Sequence, residues 1–120
     1  MLKRSMFILV IWIVVLVLWA LPTLAEVIVD TAWVRTYNGP GNSTDETNDM
    51  AVDASGNVYV TGWSVGTGTD MDYATIKYYP DGDTAWVRRY NGPANGSDQA
   101  WALALDGSNN VYVVGRAQGN

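Results

Sequence analysis

Cysteine and histidine are both absent from the 120 residues of this chain. Without cysteine the chain cannot form a disulfide framework. Without histidine it lacks the commonest general base and the commonest metal ligand of active sites. The two absences exclude Ser-His-Asp and Cys-His catalytic sets, and no phosphate-binding glycine loop is present. We therefore predict no catalytic residue and no enzyme activity for this segment.

Positive charge is also scarce, with seven Lys and Arg against twelve Asp and Glu. Two of the cations lie in the first four residues, and the other five are scattered along the chain. Nucleic-acid binding needs clustered Lys and Arg to neutralise phosphates. The composition therefore argues against a nucleic-acid partner.

The only long apolar run is residues 6–21, which follows a lysine and an arginine. Thr23 and Ala25 then supply the small residues of a cleavage site. We predict a signal peptide over residues 1–25, cleaved after Ala25, and export of residues 26–120 to the outside of the cell or its surface. An uncleaved anchor is the alternative, although the run is shorter than the roughly 20 residues that cross a membrane. Any membrane contact is expected through this segment alone.

A repeated phrase organises the rest of the chain: DTAWVRTYNGP, from Asp30, returns as DTAWVRRYNGP, from Asp83. Residues 30–66 align with 83–119 without a gap, so the exported part divides into repeats 30–82 and 83–120, the second incomplete. Periods of about 40 to 50 residues are typical of solenoids and propellers. In such folds one unit cannot bury its apolar faces without its neighbours.

The repeat is rich in Val, Tyr, Trp, Thr and Ile between clusters of Gly, Pro, Asn and Asp, which indicates short strands. We predict four strands per unit, at residues 50–53, 57–62, 73–79 and 84–90. Four antiparallel strands in a unit of this length form a β-propeller blade. The expected fold is all-β, with one complete blade and parts of two neighbours after the N-terminal apolar helix. Residues 31–37 would be the fourth strand of a preceding blade.

The turns support this pairing of strands. In the turn 53–57, Gly56 is expected at positive φ and Asp53 is expected to bind local amides. Asn109 replaces that glycine in the second copy, and asparagine tolerates the same conformation. Residues 80–83 predict a second tight turn. On the following strand Trp101, Leu103 and Leu105 alternate with two alanines, so both faces are expected to be covered by neighbouring blades.

Three blocks, AVDASGNVYVTGWS, DYATIKYYPDGDTAWVRRYNGP and LDGSNNVYVVG, occur in this order and resemble the SBBP repeat of bacterial seven-bladed β-propellers, similar in layout to NHL repeats. The resemblance covers residues 30–119. It implies a propeller fold in exported bacterial proteins, often within larger surface polypeptides, and supplies no catalytic motif. A closed ring needs several times as many residues. The resemblance therefore implies further blades in the same polypeptide, of which this chain would be a fragment, or self-assembly of copies.

Two loops, 38–49 and 63–72, are expected at one end of the blade, with the tight turns at the other. They carry the candidate ligand-binding residues: Trp63, Asp45, Asp49, Asp70 and Asp72. Such an acidic mouth suits calcium, or a polyhydroxyl compound stacked on the indole. Ordinary turn chemistry is the alternative, and no stretch has the regular calcium-loop spacing. We predict no cofactor or metal ligand, with calcium left open, and a protein or carbohydrate ligand.

The sequence thus predicts a non-catalytic, exported repeat scaffold with a binding or structural role. Two alternatives remain at this point. The chain is part of a propeller-framed polysaccharide hydrolase or lyase whose active site lies outside this segment, or it is a calcium-binding module.

Overall fold

A computed structural model describes residues 30–119 of the chain. These residues form a four-stranded antiparallel sheet in chain order and a separate two-stranded ladder. The strands are β1 (Asp45–Val52), β2 (Val58–Val65), β3 (Met71–Tyr78), β4 (Thr84–Tyr90), β5 (Gln99–Leu105) and β6 (Val111–Arg116). Within this described part there is no helix long and apolar enough to cross a membrane. The predicted all-β class is confirmed, whereas the predicted signal peptide and its helix lie outside the described residues.

The turn between β1 and β2 is built around one carboxylate. Asp53 accepts hydrogen bonds at 2.9 Å from the amides of Ser55 and Asn57, and at 2.7 Å from the Asn57 side chain. The Tyr59 hydroxyl also donates to Asp53, at 3.1 Å. Gly56 has φ 82°, as predicted. The carboxylate therefore holds both the turn and the start of β2.

The second copy builds the same turn from the same residue types. Asp106 accepts from the amides of Ser108 and Asn110, from the Asn110 side chain and from the Tyr112 hydroxyl. Asn109 has φ 62°, so the prediction that it adopts the positive φ of Gly56 is confirmed. The turn thus folds from local sequence in both copies.

These hydrogen bonds predict a loss of stability in acid. The Asn110 side chain is the main reason that the pKa of Asp106 is lowered to about 2, with the Asn110 and Ser108 amides and Tyr112 adding to it. The pKa of Asp53 is lowered in the same way, chiefly by Asn57. A lowered pKa gives stability that is present above about pH 4 and is lost as the pH falls through the folded-state pKa. We expect the urea midpoint to fall between pH 5 and pH 2.

The matched variant for that titration is Asp106→Asn, which keeps one acceptor oxygen but does not titrate. Its midpoint should be lower than that of the parent at pH 5, and it should change less between pH 5 and pH 2. Equal pH dependence of the two chains would contradict the assignment.

Three strands are longer than the sequence predicted. β1 begins at Asp45 rather than at residue 50, β2 continues to Val65, and β3 begins at Met71. The polar stretch at the start of β1 has low strand propensity, but it pairs with β2 from Asp45 opposite Ser64 onward. Pairing with a neighbouring strand outweighs intrinsic propensity here. The predicted loops 38–49 and 63–72 therefore shorten to 38–44 and 66–70.

The two shortened loops lie together at one end of the blade, as predicted. The Gly41 amide donates to the Val65 carbonyl at 3.1 Å. The Thr67 hydroxyl donates to the Pro40 carbonyl at 3.0 Å. These bonds join the chain that enters β1 to the turn between β2 and β3.

A β-bulge interrupts the first strand of each copy at the same place. The register shifts between Thr47 and Asp49 in β1, and between Ala100 and Ala102 in β5. A bulge adds one residue and so changes which face the preceding side chains occupy. Trp101 therefore does not alternate regularly with Leu103, contrary to the sequence reading, and it is 56% exposed.

Directly opposed residues of paired strands share a face, so the registers sort the side chains of the blade into two faces. We define the front face by Asp49, Tyr59, Thr61, Thr75, Lys77 and Trp86. We define the back face by Met50, Val52, Val58, Val60, Ile76 and Tyr78. The β5–β6 ladder lies against the front face, where Asp49 accepts from the Leu103 amide, and β5 packs mainly against β1 and β2.

Residues 31–37 cover part of the back face but do not form the predicted strand. The indole of Trp33 lies 5.7 Å from the ring of Tyr78, and its Nε1 donates to the Pro80 carbonyl at 3.0 Å. Within the described chain, residues 32–37 make no main-chain to main-chain hydrogen bond. A strand needs a ladder partner, and in this repeat the partner would be the third strand of a preceding unit.

Contact with Trp33 predicts different effects for two glycines that both have positive φ. Alanine at Gly68, φ 78°, meets no atom within 4 Å, so only backbone strain of about 1 kcal/mol is expected. Alanine at Gly82, φ 88°, would place its Cβ 2.8 Å from the indole of Trp33. We expect Gly82→Ala to cost between about 1 and 2 kcal/mol and to shift tryptophan emission. Equal unfolding free energies and spectra for the two variants would contradict this packing.

Candidate functional site

A cleft of about 420 Å³ lies between residues 33–37 and the back face of the blade. Its apolar lining includes Val60, Ile76 and Tyr78, and its charged lining comprises Arg35, Asp45 and Glu46. The Arg35 guanidinium is already held by the Gly82 carbonyl at 2.7 Å and by Asp83 at 3.2 Å. The cleft is therefore an apolar surface with mixed charge beside it.

A partly buried ion pair between Arg89 and Asp72 lies near this cleft, and the Tyr37 hydroxyl joins residues 31–37 to it. Arg89 donates to Asp72 at 2.9 Å, to the Ser64 carbonyl at 2.8 Å and to the Tyr37 hydroxyl at 3.2 Å. Burial alone would lower the pKa of Arg89, but the hydrogen bonds to Asp72 and Tyr37 outweigh it and raise that pKa. The guanidinium therefore stays charged and ties three segments together.

Two polar atoms beside this ion pair have no partner in the described part of the chain. They are the Ser64 hydroxyl oxygen and Asp72 Oδ1, both buried. A buried carboxylate with one unpaired oxygen depends strongly on its remaining partners. Asp72 Oδ2 accepts from Arg89 and, at 3.1 Å, from the Thr69 hydroxyl, and Arg89 is the partner that carries a charge.

Asp45 and its counterpart in the second copy, Asp98, both bind backbone amides. Asp45 accepts from the Gly39 amide at 3.1 Å, and Asp98 accepts from the Gly92 amide at 2.5 Å. Asp98 also accepts from the Gln118 amide at 2.8 Å. Both carboxylates fix the loop that leads into the first strand of a unit.

The five candidate ligand-binding residues are not gathered into one mouth. Asp45 and Trp63 line the cleft, although Trp63 pairs with Tyr73 in the register of the front face and is only 9% exposed. Asp72 accepts a hydrogen bond from Arg89. Asp49 lies on the front face, and Asp70 is exposed in the β2–β3 turn. Ligand binding by these residues stays a prediction.

No group of three or more acidic side chains within residues 30–119 is arranged to hold a metal ion. The carboxylates that the sequence placed together are spread over two faces and a turn. Calcium binding therefore also stays a prediction, without a defined set of ligands.

Sequence reasoning missed a polar contact between the blade and the next unit. The Asn48 side chain donates to the Ala100 carbonyl at 2.7 Å, and Asp49 accepts from the Leu103 amide at 2.7 Å. Trp101 and Ala102 stand at the equivalent positions of the second copy. This difference between the two copies was the sequence signal that could have identified Asn48 and Asp49.

Sequence reasoning also missed Arg89, which a difference between the copies marks in the same way. The opening phrases of the two copies differ at one residue, where Thr36 stands in the first copy and Arg89 in the second. Because this difference lies within a phrase that is otherwise identical, it was the visible sign of a contact specific to this blade.

Comparison with known families agrees with this geometry. Residues 32–68 match the family described as a beta-propeller repeat, SBBP. This segment is therefore similar to the SBBP repeat. The match starts in residues 31–37 and continues through β1 and β2 to the β2–β3 turn. No match was found among curated proteins or among solved structures.

The SBBP match supports a repeat scaffold. The matched residues comprise the end of one unit, residues 32–37, and the first two strands of the next, β1 and β2. These segments meet around the cleft. The described chemistry consists of hydrogen bonds and ion pairs that hold the blade and its neighbours in place.

Proposed function

We propose that the chain is a non-catalytic, exported β-propeller repeat scaffold. Its uncovered sheet faces take further blades of the same repeat, and it has a binding or structural role at the cell surface or outside the cell. The observation that carries this proposal is a pair of equivalent tyrosines, Tyr59 and Tyr112, whose burial differs.

The two tyrosines have the same local structure. Each donates its hydroxyl to the aspartate of its own turn at 3.1 Å. Tyr59 is 1% exposed and Tyr112 is 57% exposed. The difference therefore comes from the rest of the blade and from the neighbouring unit.

Tyr59 is covered by the outer strands of its own blade. The ring of Trp86 lies 6.1 Å from it, and the Lys77 ammonium lies 5.0 Å from its centre. The β5–β6 ladder covers the same front face. Burying an aromatic side chain of this size stabilises a fold by about 2 kcal/mol, so each unit gains stability from its neighbours.

Duplication of the complete unit tests the scaffold proposal. We would insert a second copy of residues 30–82 between residues 82 and 83, which adds one blade and keeps both ends unchanged. If blades stabilise each other, the urea midpoint should rise as well as the m value. A flexible Gly/Ser insert of equal length is the control and should give no rise. An unchanged midpoint in the duplicated chain would contradict the proposal.

Export is tested with the N-terminal segment in place. Expressed in a bacterial host, the full chain should leave the cytoplasm and begin at Glu26 by mass spectrometry. Ala25→Arg removes a small residue of the cleavage site, so this variant should keep its full mass. Recovery of the unmodified chain from the cytoplasm at full mass would contradict export.

A further inference from the structure

We propose that copies of the chain associate head to tail, with the outer face of the β5–β6 ladder of one copy docked on the back face of the blade of another. We define this outer face by Trp101, Ala104, Tyr112 and Val114. The inference rests on the proposed function, because it names a second copy as one partner for the uncovered faces.

The chain already contains one example of this contact. The inner side of the β5–β6 ladder, formed by Leu103, Leu105, Val111 and Val113, is half-buried against the front face of the blade. The equivalent residues of the first copy are Met50, Val52, Val58 and Val60, which belong to the back face. In the first copy Met50 and Val52 are exposed, whereas their equivalents Leu103 and Leu105 are half-buried.

The outer face of the ladder is equivalent to the front face of the blade, which is the surface that the inner side of the ladder contacts within the chain. Ala104 and Tyr112 are opposed in β5–β6 and correspond to Ala51 and Tyr59 on the front face of the blade. Tyr112, Trp101 and Val114 are all exposed. Joining the outer face of one copy to the back face of another therefore repeats the contact that the two units make within one chain.

Residues 31–37 leave room for this docking. They are held over β3 and the β3–β4 turn by Trp33 and Arg35, and at the β4 side by Tyr37. The back-face positions of β1 stay open, with Met50 and Val52 exposed. Within the chain, β5 packs mainly on β1 and β2. The second copy would use the same inner half of the sheet without displacing residues 31–37.

The polar groups of the back face are compatible with an apolar partner. The Met50 amide is equivalent to the Leu103 amide, which donates to Asp49 within the chain. The Met50 amide already donates to the Asp49 side chain of its own copy at 2.9 Å. In the docked pair, Trp101 and Ala102 of the partner copy would stand where Asn48 and Asp49 stand within the chain, and they offer no acceptor side chain. The Met50 amide does not need one, because it is already bonded within its own copy. Burial of an unpaired amide, which would oppose binding, is avoided.

Because the two faces differ, the contact is heterologous and can propagate from copy to copy. This property allows a sharp test by complementation. Val114→Glu disables the outer face, and Val52→Glu disables the back face. Both valines are exposed, at 63% and 55%, so the substitutions should leave the fold intact by circular dichroism.

The experiment is sedimentation velocity of the full-length chain over a concentration series. The parent chain should show a mass that rises with concentration. Each variant alone should lose association by about tenfold or more, because a charge is buried at the contact. An equimolar mixture of the two variants should form a 1:1 dimer and nothing larger, since one matching pair of faces remains. The double variant Val52→Glu/Val114→Glu gives the baseline for association through residues 1–25.

Three results would overturn head-to-tail association. They are a parent chain that stays monomeric, single variants that associate like the parent, and a mixture that associates no better than the double variant. None of these results bears on the duplicated chain, whose raised midpoint would still support the scaffold proposal. Failure of the partner assignment is therefore distinguishable from failure of the proposed function.

Discussion

Replacing Arg89 by alanine should lower the free energy of unfolding by about 3 kcal/mol. The substitution leaves Asp72, whose side chain is 7% exposed, without its only ion-pair partner in the described structure. It also removes the hydrogen bonds to the Ser64 carbonyl and to Tyr37. Uncompensated burial of a carboxylate is more costly than the ion pair itself is stabilising. Urea unfolding at neutral pH measures the loss.

The neighbouring arginine provides a matched control. Arg88 is exposed on the front face and lies 5.8 Å from the ring of Trp86, and among residues 30–119 it donates only to the Val87 carbonyl. Arg88→Ala should therefore cost less than about 1 kcal/mol. The pair of variants changes net charge equally, so a difference between them reports burial and hydrogen bonding.

A double-mutant cycle identifies the physical cause. If Asp72 without its partner is the source of the loss, Arg89→Ala combined with Asp72→Ala should be less destabilising than the sum of the two single changes. Additive effects would show that the two side chains act independently. A cost for Arg89→Ala no larger than that for Arg88→Ala would also contradict the assignment.

Replacing Asp49 by alanine should weaken the contact between the blade and the β5–β6 ladder by about 2 to 3 kcal/mol. Asp49 accepts from the Leu103 amide across this contact and from the Met50 amide in its own strand. Hydrogen bonds to a carboxylate are among the stronger ones in proteins. Because one of the two bonds is a polar link between units, beside the bond from Asn48 to the Ala100 carbonyl, the loss should concentrate in β5–β6.

Hydrogen exchange of the backbone amides locates that effect. In Asp49→Ala, amides of β5 and β6 should lose protection, while those of β2 and β3 keep most of theirs. Asp70→Asn is the control, because Asp70 is exposed in the β2–β3 turn. Equal loss of protection in all six strands would indicate general destabilisation and would count against a link between units.

The elements that sequence reasoning predicted correctly depend on short segments of chain. The turns after Asp53 and Asp106 use a carboxylate, two amides and an asparagine within five residues. The SBBP resemblance, confirmed for residues 32–68, rests on these same blocks. Local hydrogen bonding leaves little choice to the chain at such places, so the pattern is readable without a structure.

The candidate site was less predictable, because it depends on which face a side chain occupies. Asp45 and Asp49 stand four residues apart in sequence, yet Asp45 holds a loop and Asp49 binds the next unit. The bulge between Thr47 and Asp49 changes the faces, and no residue pattern announced it. The sequence placed Trp63 in the loop 63–72, whereas it lies in β2.

The sequence by itself determined the strand-rich composition, the period of the repeat and the turn chemistry, because these arise from contacts between residues close together in the chain. Tertiary structure decided the start of β1, the bulges, the partner of Arg89 and the irregular state of residues 31–37. Each of these depends on a neighbour that is distant in sequence, or on the lack of a ladder partner within the described chain. A strand is defined by what lies beside it, and for this repeat that neighbour is another unit.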